Sequence, residues 1–242
     1  SRLGDVVEAV PDLTGKYYGI TNLSAEEMKD LPTYLYGIYK GFAFSIYNLV
    51  PTITSVIGVS AIPALSTSWA QRDKAGVHQS SESIIRLTAM IALPAGVGIA
   101  CLSGPILQLL YSGRPNAVII ATPILTVLGI SAIFAGMAVP LTNMLQAIGK
   151  QTVPLKNIAV GAVLKIVINF ILVGTPEINI LGVPIGTAAC YAYICISNII
   201  CFIKYSGVKP DYLSVFVKPF VAAAACAITA FAASKLLYMV IN

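Results

Sequence analysis

Six long apolar segments, at about 34–68, 87–111, 117–148, 155–174, 182–203 and 216–241, dominate this 242-residue chain. A hydrocarbon core roughly 30 Å thick takes about 20 helical residues to cross, and each segment reaches or nearly reaches that length. With no water in the core, backbone amides must bond within their own segment, which excludes lone strands and open loops there. The expected fold is all-α: a polytopic bundle of about six transmembrane helices. Composition agrees. Charged residues are 10% of the chain and hydrophobic ones 57%, with a mean hydropathy of +0.84, against roughly 25% charged in a soluble domain. Between Arg86 and Lys150 the only Asp, Glu, Lys, Arg or His is Arg114.

The connections alternate in charge. Arg72 and Lys74 follow segment one, with Arg86 at the expected start of the second helix; Lys150 and Lys156 follow segment three; Lys204, Lys209 and Lys218 follow segment five. The other side holds Arg114 and, between segments four and five, Glu177. Short loops rich in Lys and Arg stay cytoplasmic, so segment one is expected to run from outside to inside, with both chain ends outside. Tyr34, Tyr36, Tyr39, Tyr111 and Tyr238 then mark the outer interface, and Trp69, Tyr205 and Tyr212 the inner one. The formal charge of +5 is this bias, not a nucleic-acid footprint, because no basic cluster occupies a polar face. The partner expected is the lipid bilayer, with no nucleic acid.

Residues 1–32 are acidic and polar, an expected extracellular lead-in to a membrane region over 33–242. Ser24 and Glu27 have capping-box spacing before Pro32. The chain opens without methionine or a signal peptide, as expected of a piece of a longer protein. Segment one spans about 50 Å if wholly helical, and Pro51 and Pro63 predict a kink within it. Pro94, Pro105, Pro123 and Pro140 interrupt the next two segments. Any one of them fits ordinary packing irregularity; together they favour a transporter whose helices bend. Gly182 and Gly186 form a G-x-x-x-G compatible with close helix contact.

Two lysines stand out. Lys165 lies roughly ten residues from either end of its segment, where a cation costs several kcal/mol unless it meets a partner or water. Asn169, four residues on, shares its face, so the pair offers a charge and a directional hydrogen-bonding group to one ligand. The alternative is a lysine that snorkels or bonds to a neighbouring carbonyl. Lys40, about two turns into segment one, is near enough to the surface to snorkel; Asn48 is two turns further along and roughly in line with it. Asn143 and Gln146 suit helix-to-helix hydrogen bonding.

What is absent decides more. No Asp or Glu lies inside an apolar segment: Glu82, Glu177 and Asp211 are placed in connections, and the single histidine, His78, in a cytoplasmic loop. Cys101, Cys190, Cys195, Cys201 and Cys226 all lie in apolar segments without a C-x-x-C pair, and read as small buried hydrophobes. No nucleophile–base pair or metal cluster can be assembled, so no enzyme, metal or cofactor is expected. A cavity lined by cations and amides suits an anionic, sugar-like or phosphate-bearing substrate.

Pro51-Thr52, Thr54-Ser55 and Ala61-Ile62-Pro63-Ala64-Leu65-Ser66 resemble the first helix of the C-terminal lobe in the polysaccharide and lipid II flippases of the MOP superfamily, the SpoVB and MurJ-like branch above all. Leu93-Pro94-Ala95-Gly96-Val97-Gly98, Pro105-Ile106-Leu107 and Leu145-Gln146-Ala147-Ile148-Gly149-Lys150 match as well. So do Lys165 with Asn169 and Asn179-Ile180-Leu181-Gly182-Val183-Pro184-Ile185-Gly186-Thr187. The resemblance covers about residues 33–242. It implies one lobe of a two-lobed MOP-type transporter in the bacterial plasma membrane, moving a lipid-linked oligosaccharide or peptidoglycan precursor by alternating access, in a cell-wall or sporulation role. It also implies a partner N-terminal lobe, and substrate binding by Lys40, Asn48, Lys165 and Asn169, with Lys40 in the helix where MurJ-like proteins carry a cavity arginine. The chain ends at what matches the thirteenth helix of a fourteen-helix plan, so this piece alone is not expected to transport.

Three other readings stay open. A MATE-type cation-coupled multidrug exporter calls for acidic cavity residues, and a membrane-embedded glycosyl- or acyltransferase for carboxylates or a histidine. A purely structural membrane subunit has no need of Lys165.

Overall fold

The computed structural model describes residues 30–175, 177–209 and 219–226, with Asp5 and Thr229. Nearly all of the 1–32 lead-in, most of the sixth apolar segment, and Tyr212 and Tyr238 lie outside the described residues. Five helices are long and apolar enough to cross a membrane: α1 (Leu31–Ala70), α2 (Lys74–Cys101), α4 (Pro115–Ala147), α5 (Thr152–Val173) and α6 (Gly182–Ser206, entered through a 3₁₀ turn at Asn179–Leu181). A short α3 (Ser103–Leu110) follows α2. Residues 219–226 are helical as well, and Cys226 Sγ comes to 4.0 Å from the Pro94 carbonyl of α2. The chain is therefore an all-α membrane bundle.

The longest apolar run makes the centre. α4 packs against α1, α2, α3 and α6, and its Ile120, Ile124, Leu125, Leu128 and Ala132 are fully buried. α5 packs on α6 and turns Leu155, Val163, Ile166, Phe170 and Ile171 outward, the surface that lipid requires. Small residues set the closest approaches. A Cβ at Gly129 of α4 would stand 2.6 Å from the Ala100 nitrogen of α2, and one at Gly58 of α1 would stand 2.9 Å from the Pro140 Cα of α4. Gly182 and Gly186 bring α6 against α5, facing Leu172 and Asn169.

Several expectations are corrected. α2 begins at Lys74, not near residue 87, because the Asp73 carboxylate caps it, accepting from the Ala75 N–H at 3.0 Å. His78, Glu82 and Arg86 therefore lie on a helix, and His78 Nδ1 is 3.9 Å from Glu82 Oε2 one turn on. Apolar counting found only the lipid-embedded part of a helix whose polar first turns continue beyond it. The 87–111 segment divides at Leu102 into α2 and α3. In α1 the irregularities fall at a π-turn, Tyr39–Ala43, and at Asn48, three residues before Pro51, whose missing N–H cannot bond the preceding turn. The helix runs unbroken through Pro63.

Tyr39 is not an interface residue: it is 5% exposed, inside the bundle. Gln146 is exposed, and Asn143 Nδ2 is buried against Gly58 without a hydrogen bond. Polar contact between helices is made instead by Asn157, Asn198 and Thr142, which link α5, α6 and α4.

Candidate functional site

The N-terminal turns of α1 place the first candidate. Lys40 lies within the π-turn and is exposed, its Nζ 4.0 Å from the centroid of the Phe44 ring, a cation–π contact that holds the ammonium without neutralising it. From there the uncovered side of α1 carries Ser45, Asn48, Thr52 and Ser55, exposed or half-buried. The hydroxyls of Ser45, Thr52 and Ser55 donate to carbonyls on α1 itself, so the stripe is polar without depending on a neighbouring helix. A second uncovered strip of α1, Leu49, Ile53, Val56 and Val59, is apolar and suits lipid. A transmembrane helix with both surfaces has one side for lipid and one for a polar cavity.

α5 supplies the second cation. Its inward stripe runs Pro154, Asn157, Gly161, Lys165, Asn169, spaced to share one helix face. Gly161 lies against Ile194 and Cys190 of α6. Lys165 is half-buried, with Cys190 of α6 and Lys40 of α1 within electrostatic range. Among the described residues neither lysine has a carboxylate partner. Two like charges in a medium of low dielectric repel strongly, and an anion between them turns that repulsion into attraction.

The four predicted residues are thus only partly gathered. Lys40 and Lys165 lie within electrostatic range of each other. Asn48 stands exposed about 12 Å further along α1. Asn169 faces α6, its buried Oδ1 packed on Gly186 and accepting no hydrogen bond. Sequence reading missed a group of hydroxyls beside them, where Tyr47 of α1, Ser131 of α4 and Tyr191 of α6 converge and Tyr39 reaches Thr187. Tyr47 and Ser131 are 1% and 0% exposed, and neither of their oxygens completes a hydrogen bond of good geometry. The one signal in the sequence was the pair of tyrosines two helical turns apart near Lys40.

Unpaired cations, amides and hydroxyls bind anions and polar groups. Among the described residues no three His, Cys, Asp or Glu side chains converge as metal ligands. The fold defines a multi-pass, all-α membrane protein. The chain belongs to the lipid II flippase MurJ family, whose model, described as "Lipid II flippase MurJ", matches residues 42–241.

Curated relatives are more distant. An uncharacterized membrane protein of Bacillus subtilis, YabM, is 26% identical over 172 residues, 71% of this chain and 31% of its own length. The lipid II flippase MurJ of the same organism is 23% identical over 156 residues, covering 64% and 28%. Its stage V sporulation protein B is 25% identical over 154 residues, covering 62% and 28%. The chain thus spans about three-tenths of the length of the curated relatives it matches. No solved structure matches it.

Proposed function

We propose that the intact protein flips an anionic lipid-linked saccharide of the peptidoglycan-precursor type across the plasma membrane by alternating access, as a transporter and not an enzyme. Residues 33–242 form one lobe of a two-lobed machine, preceded by the extracellular 1–32 lead-in. A second lobe outside this chain closes the cavity. Lys40 and Lys165 bind the phosphate groups of the substrate, and Asn48 and Asn169 hydrogen-bond its polar groups. A substrate bridging two lobes is the general arrangement of transporters built around a midplane site.

The observation that carries this reading is a half-buried Lys165 on the inward stripe of α5, within electrostatic range of Lys40 on α1, with no carboxylate partner for either among the described residues. An exporter of organic cations would need the opposite charge there. Losing a charged hydrogen-bonding partner costs about 1.5–3 kcal/mol, or at least tenfold in affinity. In the full-length protein, Lys165→Ala should therefore fail to replace a depleted lipid II flippase, Lys165→Arg should retain part of the activity, and Lys40→Ala should weaken it. Full complementation by Lys165→Ala would remove the substrate role.

A further inference from the structure

At the opposite end of α1, a cleft of about 400 Å³ opens between the α1–α2 turn and the end of α6, lined by Trp69, Arg72, Asp73, Lys74, Val77 and Ser206 among others. Clefts of about 300–1,000 Å³ are the size that holds small ligands. Its floor is apolar, with Val77 and Val208 buried; the buried hydroxyl of Ser206, the last residue of α6, donates to the Phe202 carbonyl at 2.7 Å and accepts from the Val208 N–H at 3.2 Å. Its rim is cationic. Arg72 and Lys74 are exposed, and among the described residues neither forms an ion pair. The one acid in the lining, Asp73, has its carboxylate engaged as the cap of α2.

The position of Arg72 is informative. α1 ends in a Schellman-type turn, with the Asp73 N–H donating to the Ser68 carbonyl at 3.0 Å and the Arg72 N–H to the Trp69 carbonyl at 3.1 Å. The residue after the cap in such a turn is left-handed and is usually glycine. Here it is Arg72, at φ +55°. A long cationic side chain occupies a position where the backbone alone would favour none, and that turn aims it from the rim of the cleft.

We propose that this cleft binds the phosphate headgroup of an anionic glycerophospholipid. Arg72 and Lys74 take the phosphate, and Trp69 packs against the glycerol and upper acyl region. Two features favour a lipid over a soluble phosphate: the floor of the cleft is apolar, and its wall is an indole, the side chain that prefers the headgroup level. Such a site does not depend on what the bundle carries.

Trp69 is the only tryptophan of the chain, so its emission reads the cleft directly. The chain is reconstituted in phosphatidylcholine bilayers containing rising fractions of phosphatidylglycerol. A saturable shift in Trp69 emission is expected. A charge-assisted contact to the phosphate is strong enough that losing one shifts the midpoint about tenfold. Arg72→Gly, which keeps the left-handed turn, should produce that shift, and Lys74→Gln a further one. Lys156→Gln, an exposed cation at the same end of the bundle, should leave it unchanged. The proposal is overturned if Arg72→Gly titrates like the wild type, or if Lys156→Gln loses as much as Arg72→Gly. An equal shift in pure phosphatidylcholine, or with inorganic phosphate replacing the anionic lipid, overturns it as well.

Discussion

Asn157 of α5 donates its side-chain amide to Asn198 of α6 at 2.8 Å, and Asn198 passes the interaction on by donating to Thr142 Oγ1 of α4 at 3.0 Å. Asn198 is 0% exposed. α5 otherwise turns much of its length toward lipid, and packs chiefly on α6. The two asparagines therefore tie the least buried helix to the centre of the bundle. Hydrogen bonds between membrane helices are worth about 0.6 kcal/mol on average and up to about 1.7. A double-mutant cycle of Asn157→Ala and Asn198→Ala, read by unfolding in mixed micelles, should give a coupling energy in that range. Purely additive losses would show that packing, not this bond, holds α5.

The glycines of α6 should respond differently to the same change. A Cβ at Gly186 meets the Asn169 side chain, which can rotate away, whereas one at Gly182 meets the backbone of Val173 at 2.9 Å. Gly186→Ala should therefore be largely rescued by Asn169→Ala, and Gly182→Ala should not be. Gly129→Ala, pressed against the Ala100 backbone, should cost about 1–3 kcal/mol as an overpacked site. Gly98→Ala, with open space around it, should gain about 0.5–1 kcal/mol from helix propensity. Thermal unfolding of the four variants in detergent checks the order.

The polar stripe of α1 makes a prediction about water. In a cysteine-free background of the full-length protein, Asn48→Cys, Thr52→Cys and Ser55→Cys should react with a membrane-impermeant maleimide when the cavity faces the reagent. Ile53→Cys and Val56→Cys, on the apolar strip of the same helix, should not. Equal labelling of both sets would mean that α1 has no lipid side, and no labelling of the first set would place the stripe out of contact with water.

Arg72 should carry a stability cost of its own. A left-handed conformation costs a non-glycine residue about 1–2 kcal/mol, so Arg72→Gly should stabilise the detergent-solubilised chain by about 1 kcal/mol. An unchanged or lowered unfolding midpoint would mean that the arginine side chain makes compensating contacts in the turn.

Much of the site was visible in the residues themselves. Lys165 was conspicuous because a cation near the middle of an apolar run demands an explanation, and the spacing of Gly182 and Gly186 announced a close helix contact. Other residues gave no such signal. Asn198 is one amide in an apolar segment, and whether it meets lipid or Asn157 depends on the rotation of α6 about its axis. Tyr39 has the sequence surroundings of an interface tyrosine, yet the π-turn and the packing of α4 bury it. The start of α2 escaped because hydropathy marks the depth of the bilayer, while the cap at Asp73 marks the end of the helix.

That this chain crosses a membrane as helices follows from its residues alone. Burial of unpaired backbone amides in hydrocarbon is so costly that long apolar runs have almost no alternative. Which side chains meet depends on how the helices pack. Lys40 and Lys165 lie on helices far apart in the chain, and their approach follows from how α1, α4, α5 and α6 rotate and cross. Those angles are chosen by glycines, a few buried asparagines and the fit of side chains across the contact, because in lipid no hydrophobic force distinguishes one apolar face from another.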